Sequence, residues 1–341
     1  MQYDFPVYGE KMRRFMVDRR INAHCALARV IGQERAVELV ADACYSGFER
    51  PDHFVEKSLI FVGGASTGKT HLATAMADTL DVVRVITEAQ QIKNADNLAH
   101  LVLEAWARYM VPLEPAEEYG KTKLYRPDTT LIFIDEIHGL TDDAQTGLLK
   151  ATERSDGMLF GKNRVIDLRK AIWIGATTNW GKLLPAFQTR FVRVQLFPYH
   201  AHEVAQIVHK KKRWEMRLCE RIVFFGGLVP RETFQFAGLV EDAAKRRGQT
   251  MLEVVEEVAA REGIDKFGMR IQRLMILRAL QGKEDGMLLR HLVGATGLDS
   301  DELLDYWLPA MLIAPPGEKP LVAYDKKYFI TERGEEELRK R

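Results

Sequence analysis

Short apolar runs alternate with longer helix-like stretches between Gly32 and Leu196, and the apolar runs are rich in branched residues. This alternation is typical of a parallel sheet that is flanked by helices. One stretch, from Val111 to Thr129, interrupts it with several Pro and Gly residues, and is predicted to run outside the core as an insertion loop. The pattern predicts strands at Ser58 to Val62, Val82 to Thr87, Leu131 to Asp135, Ala171 to Ala176 and Phe191 to Leu196.

The strand signal stops after Pro198. Helical patterns at His202 to Arg217 and at Glu232 to Arg247 then predict a small helical domain. From about Gly263 a third unit is expected, in which helices precede a hairpin, as in a winged helix. That unit is predicted to hold a helix from Asp299 to Leu308, a hairpin tip at Pro315, Pro316 and Gly317, and a return strand from Tyr328 to Thr331. The predicted division is an N-terminal extension at 1–22, a large α/β domain at 23–197, a helical lid at 198–262 and a winged helix at 263–341.

A chain of 341 residues that is 46% hydrophobic and 28% charged has the composition of an ordinary globular protein of more than one domain. It holds no apolar run of the roughly 20 residues that span a bilayer. Residues 1–20 lack the apolar segment of a secretory signal, so we expect a cytoplasmic protein with no membrane partner. The net charge of +1 neither requires nor excludes nucleic acid. Cys25, Cys44 and Cys219 are far apart and are expected to be buried as small hydrophobic residues.

A glycine-rich octet directly follows the first predicted strand and directly precedes a helical pattern. Its spacing is that of the phosphate-binding P-loop, in which glycines let backbone N–H groups surround phosphates at a helix N-terminus. Lys69 is expected to hold the β and γ phosphates of ATP, and Thr70 to hold Mg²⁺. The octet consists of Gly63, Gly64, Ala65, Ser66, Thr67, Gly68, Lys69 and Thr70.

Two acids end another predicted strand, since four apolar residues lead into Asp135 and Glu136. In this Walker B arrangement the first carboxylate can hold magnesium through water, and the second can polarise the attacking water. A glutamate at the second position predicts hydrolysis as well as binding. A third strand ends near Thr178, whose hydroxyl can orient the same water.

Two arginines follow, Arg190 just before the last predicted strand and Arg231 at a helix start after Pro230. A guanidinium can stabilise the charge that develops on the γ phosphate, either within one subunit or from a neighbour as an arginine finger. Surface ion pairing is the alternative, and spacing alone does not decide between the two.

Together these motifs resemble the RuvB family of AAA+ Holliday-junction branch-migration motors. The resemblance covers roughly Ala28 to the C-terminus, and its nucleotide motifs are specific for AAA+ proteins. The motifs occur in the order and approximate spacing of that family. They are Val30-Ile31-Gly32-Gln33, the octet, LIFIDEIHG from Leu131 to Gly139, IGATT from Ile174 to Thr178, Arg190-Phe191, Phe197-Pro198-Tyr199 and Pro230-Arg231.

The resemblance implies a P-loop AAA+ core, a helical lid and a C-terminal winged helix, with ATP and Mg²⁺ as cofactors. It makes Thr178 the sensor 1 residue, Arg231 the sensor 2 residue and Arg190 the finger that reaches a neighbouring subunit, which implies a homo-oligomeric ring, hexameric by analogy. The further nucleotide contacts that it implies are Val30 and Ile31 at the adenine, His71 beside the octet and Tyr199 at the lid. The candidate DNA contacts in the wing are Lys319, Lys326, Lys327 and Arg333.

The residues predict an ATPase, and the resemblance implies an ATP-driven DNA motor that translocates on duplex DNA or drives branch migration. Two alternatives stay open: an ATP-dependent loader that acts on another DNA-processing protein, and a protein remodeller without a nucleic-acid role. The insertion at 111–129, the modest charge of the wing and a short hairpin around Gly161 to Asn163 favour the loader. The nucleotide motifs are common to all three.

Overall fold

The computed structural model describes residues 26–49, 58–80, 82–108, 114–119, 121–127, 129–153 and 157–341. The chain divides into two units, one that ends at Leu196 and a second that holds residues 64–67 and 197–341. In the described ranges no helix is long and apolar enough to cross a membrane. The predicted extension at 1–22 and Cys25 lie outside the described residues, while Cys44 and Cys219 are buried as predicted. The strands are β1 (Ser58–Val62), β2 (Val83–Glu88), β3 (Glu117–Tyr119), β4 (Thr122–Tyr125), β5 (Thr130–Asp135), β6 (Met158–Phe160), β7 (Arg164–Asp167), β8 (Ile172–Thr177), β9 (Phe191–Gln195), β10 (Val322–Asp325) and β11 (Lys327–Ile330).

The main sheet of the first unit has five parallel strands in the order β2-β5-β8-β1-β9. All five predicted strands are present, each within one residue of its predicted ends. Alternate residues of the strands face opposite sides, so Leu59 and Phe61 of β1 join one apolar cluster and Ile60 and Val62 the other. Helices cover both faces, which confirms the predicted α/β class. The helices of this unit are α1 (Glu34–Glu49), α2 (Lys69–Leu80), α3 (Ala95–Arg108), α4 (Asp142–Ala151) and α5 (Pro185–Gln188).

A second sheet of the first unit has four strands in the order β3-β4-β7-β6. The turn at Gly161 to Asn163 joins β6 to β7, as predicted. The prediction of a loop at 111–129 is wrong for residues 117–119 and 122–125, because β3 pairs with β4 in antiparallel fashion and β4 pairs in parallel with β7. Prolines flank these two strands and a glycine falls between them in the sequence, and the strands are short and polar, so the composition resembled that of a loop.

The second unit is helical apart from one hairpin. The helix predicted from His202 to Arg217 is two helices, because Arg213 takes a left-handed conformation with φ of 58°. This unit contains two separate apolar clusters, one formed by residues between 218 and 264 and the other by residues between 269 and 328. The division into a lid and a winged helix stays a prediction. The helices are α6 (Ala201–Lys212), α7 (Met216–Gly226), α8 (Pro230–Arg247), α9 (Met251–Arg261), α10 (Ile271–Leu280), α11 (Leu289–Thr296), α12 (Ser300–Glu302), α13 (Leu308–Leu312) and α14 (Glu332–Arg339).

The C-terminal hairpin turns at Lys326, where φ is 59°, and pairs β10 with β11. The predicted tip at Pro315 to Gly317 is wrong, because these residues form a separate turn in which Glu318 N donates to Pro315 O. The predicted helix from Asp299 continues past Leu308 to Leu312, through a π-helical turn at Leu303–Trp307. Buried Leu308 and Met311 give that extension its apolar face.

Candidate active site

The P-loop lies between β1 and α2. Its first glycine, Gly63, donates its N–H to Thr177 O of the neighbouring strand at 3.2 Å, which ties the loop to the edge of the sheet. Ser66 and Gly68 have φ of 58° and 93°, and the second value suits a residue without a Cβ. The side chain of Lys69, at 7% exposure, reaches back to donate to Gly63 O at 3.0 Å. The loop therefore forms a cradle with a cation inside it, which fits a phosphate chain.

A hydroxyl and a carboxylate meet beside this cradle. Thr70 is the second residue of α2 and Asp135 ends β5, and Thr70 Oγ1 lies 3.3 Å from Asp135 Oδ2. Magnesium prefers such oxygen ligands and keeps several waters when it binds with phosphates. Thr70 and Asp135 therefore fit a Mg²⁺ ion that accompanies ATP.

Glu136 follows Asp135 in a left-handed conformation, with φ and ψ both 46°. Its backbone is held there because its N–H donates to Asp135 Oδ1 at 3.0 Å and its carbonyl accepts from Gly139 N at 2.7 Å. Its side chain reaches the end of β8, where Glu136 Oε2 accepts from Thr178 N at 3.3 Å and from Thr178 Oγ1 at 3.2 Å. The structure thus brings the predicted base and the predicted sensor 1 residue into direct contact.

Two residues at this edge escaped the sequence reasoning. His138 Nδ1 lies 3.2 Å from Glu136 Oε2 and 2.8 Å from Thr177 Oγ1. Both residues belong to motifs that the sequence analysis quoted, His138 to LIFIDEIHG and Thr177 to IGATT, but neither was given a role of its own. The fold supplies the missing signal, because it brings His138 against both Glu136 and Thr177.

Arg190 is not directed into solvent. One guanidinium nitrogen donates to Leu149 O at 2.8 Å and the other to Glu153 at 2.6 Å, and the side chain is 29% exposed. Leu149 is near the C-terminal end of α4, where a cation is favoured by the helix dipole. The predicted finger therefore has intramolecular partners in this chain, and its role in a neighbouring site stays a prediction.

The remaining predicted nucleotide contacts lie on several different elements. Val30 is buried and Ile31 partly buried just before α1, and exposed His71 is the third residue of α2. In the second unit, exposed Arg231 is the second residue of α8, and Tyr199 is buried in an apolar cluster. Their nucleotide roles stay predictions.

The four candidate DNA contacts differ in their surroundings. Lys319 Nζ lies 2.5 Å from Glu332 Oε2, and Arg333 lies 2.8 Å from Glu318 Oε2. Lys326 is exposed at the turn of the hairpin, and Lys327 follows it at the start of β11. Two of these cations thus have acidic partners, and the other two flank or form the turn.

Comparisons with known proteins agree with this geometry. Residues 59–199 match the ATPase family associated with various cellular activities, AAA. The Holliday junction branch migration complex subunit RuvB of Fervidobacterium nodosum is 24% identical over 324 residues, which are 89% of this chain and 86% of that protein. The chaperone protein ClpB of Porphyromonas gingivalis is 28% identical over 286 residues, which are 79% of this chain but 32% of ClpB.

The fold is also similar to that of solved structures. The RuvB Holliday junction branch migration motor of Thermotoga maritima gives a TM-score of 0.64 at 21% sequence identity, over 91% of this chain and 95% of that one. The parallel sheet, the P-loop and the paired acids define an AAA domain over residues 59–199. Along most of its length the chain is similar to RuvB in sequence, and it shares the fold of the RuvB motor.

Proposed function

We propose that this protein hydrolyses ATP with Mg²⁺ and, as a homo-oligomeric ring, uses the reaction to move on duplex DNA or to drive branch migration. The observation that carries the ATPase part is the convergence of three pieces at one sheet edge. They are the Lys69 cradle, the Thr70–Asp135 pair, and Glu136 in contact with Thr178. The resemblance to RuvB supports the proposed action on DNA, a hexameric ring and a cytoplasmic location.

In the proposed reaction a water attacks the γ phosphorus. Glu136 accepts the proton of that water as the new O–P bond forms, and the bond from phosphorus to the β–γ bridging oxygen breaks to release ADP. Lys69 neutralises charge on the β and γ phosphates, and Thr178 orients the water from the end of β8. Thr70 and, through water, Asp135 would hold Mg²⁺, which would supply further charge neutralisation.

The DNA part rests on relatives that are named for Holliday junction branch migration. Phosphate contacts are expected to dominate binding, so affinity should fall with salt and depend little on sequence. Lys326 at the exposed turn of the hairpin is the contact that the surroundings favour most. The other three candidates stay in the proposal as weaker contacts.

A second candidate is a loader or remodeller that acts on another protein, for instance a DNA-processing partner. Two observations favour it: Lys319 and Arg333 have acidic partners, which lowers the positive charge of the wing, and β3 and β4 enlarge a two-stranded hairpin into a four-stranded sheet. A larger sheet is suited to a protein contact, and basic residues of this segment are paired with acids, Lys123 with Glu118 at 3.0 Å and Arg126 with Glu117 at 2.7 Å.

ATP turnover with and without duplex and junction DNA, at low and moderate salt, separates these functions. Stimulation by DNA that fades with salt supports the motor, and preference for junctions supports branch migration. Glu136→Gln is the control, and it should abolish turnover while ATP still binds. Turnover that no DNA changes would reject the autonomous motor in favour of the loader or remodeller.

A further inference from the structure

The carboxylate of Glu136 is held from one side only. Its Oε2 atom accepts from Thr178 N at 3.3 Å and from Thr178 Oγ1 at 3.2 Å, and His138 Nδ1 lies 3.2 Å from the same oxygen. No hydrogen bond reaches Oε1 from the described residues, and the side chain is 47% exposed. One oxygen is therefore fixed by the protein, and the other is available to accept a proton from water.

The proton position on His138 follows from its two neighbours. A lone pair on Nδ1 would face a carboxylate oxygen at 3.2 Å, whereas an N–H there is attracted to it. The same nitrogen lies 2.8 Å from Thr177 Oγ1, which accepts from Asn179 N at 2.9 Å. With its proton on Nδ1, the ring donates to Thr177 Oγ1 and attracts Oε2 of Glu136.

The backbone places this donor independently of Thr178. His138 is the middle residue of a short 3-10 helix, Ile137–Gly139, that follows the left-handed Glu136. Gly139 N closes the turn onto Glu136 O at 2.7 Å, and the imidazole is 19% exposed. Thr177 is fully buried in β8, so the ring is anchored to the sheet on one side and meets the carboxylate on the other.

We infer that His138 is a positioning residue for hydrolysis: its Nδ1–H fixes Oε2 of Glu136, so that Oε1 is presented to the attacking water. The inference rests on the proposed ATPase function and deepens it. A carboxylate held by Thr178 alone can rotate about its terminal bond, and only a fraction of its orientations would then serve as base. His138 removes that freedom without touching substrate.

Two substitutions of similar size test the inference. His138→Leu removes the donor, while His138→Asn keeps an N–H close to the position of Nδ1. We expect His138→Leu to lower kcat for ATP by roughly tenfold, as expected for the loss of one charge-assisted hydrogen bond, and to leave KM within about twofold. His138→Asn should recover most of the lost turnover. Binding of a fluorescent ATP analogue and the thermal unfolding midpoint should be similar in both variants.

Several outcomes would overturn the inference. They are wild-type kcat in His138→Leu, an equal loss in His138→Asn, or a loss that appears in KM and in binding of the analogue but not in kcat. Glu136→Gln is measured alongside, so that failure of the proposed general base can be told apart from failure of the positioning role. If Glu136→Gln keeps its turnover, the proposed general base itself is wrong; if it is inactive while His138→Leu is normal, only the positioning role is lost.

Discussion

Single residues at the sheet edge are restricted by their neighbours as much as by chemistry. Gly175 lies in β8, and a Cβ there would meet Ile137 Cδ1 at 2.9 Å and Ile60 Cγ1 at 3.1 Å. Ile137 begins the turn that carries His138, so this glycine lets the turn approach the sheet. The φ of Gly175 is not positive, so its backbone conformation does not require glycine. The reason for a glycine here is therefore the close packing.

Gly175→Ala should therefore lower the free energy of unfolding, by about 1–3 kcal/mol for an overpacked core position. Gly147 is a matched control, because it lies within α4 and a Cβ there meets nothing within 4 Å. Gly147→Ala should raise stability by about 0.4–1 kcal/mol. Urea unfolding without nucleotide measures both, and changes of the same sign would contradict the packing argument.

At the level of secondary-structure elements, Asp167 at the end of β7 links the two halves of the second sheet. Asp167 accepts from Arg169 Nε at 2.9 Å and from another Arg169 nitrogen at 2.5 Å, and Arg126, just after β4, lies 4.0 Å away. The hydrogen bond from Arg169 holds the pKa of Asp167 below its ordinary value of 3.8, against the effect of burial. Charge pairing thus adds to the strand pairing between β4 and β7.

This shift predicts a pH dependence with a definite sign. Because the folded pKa lies below the unfolded one, the unfolded chain binds more protons near pH 4, and the stabilisation by Asp167 is present above that pH. It is lost as pH falls through the lowered pKa. The difference in free energy of unfolding between wild type and Asp167→Asn should therefore shrink from pH 6 to pH 3. A difference that stays constant or grows toward acid would refute the assignment.

At the scale of the whole molecule, the open question is whether Arg190 acts across a subunit boundary. Within one chain it binds Leu149 O and Glu153, on the same unit as Glu136. A finger acting in a ring would pair the Glu136 of one subunit with the Arg190 of its neighbour. The guanidinium of Arg190 would then have to leave Glu153 and contact the γ phosphate of the neighbour's ATP.

Mixing two inactive variants tests this arrangement. Arg190→Ala and Glu136→Gln should each hydrolyse ATP poorly, but an equimolar mixture should regain turnover, because some interfaces combine an intact Glu136 with an intact Arg190. Each variant alone at the same total concentration is the control. Size-exclusion chromatography should show mixed oligomers. Absence of recovery in mixtures that do co-assemble would place the action of Arg190 within its own subunit.

The parallel sheet and the residue types of the candidate nucleotide site could be predicted from the sequence alone. Apolar runs that end in a P-loop, in Asp135 and Glu136, and near Thr178 carry local signals of strand and motif, and the carboxyl ends of parallel strands must share one edge. These features depend on short stretches of chain. Local pattern was therefore enough to predict them.

The pairings between distant segments could not be predicted from the sequence. The structure pairs β4 with β7, brings His138 to Thr177 and brings Glu153 to Arg190. In each pair at least one partner carried no local signal of the contact. The hairpin tip at Lys326 was also missed, because a proline-rich turn nearby gave the stronger local signal. These contacts depend on which surfaces of the folded chain pack together. The local pattern of apolar and polar residues does not contain that information.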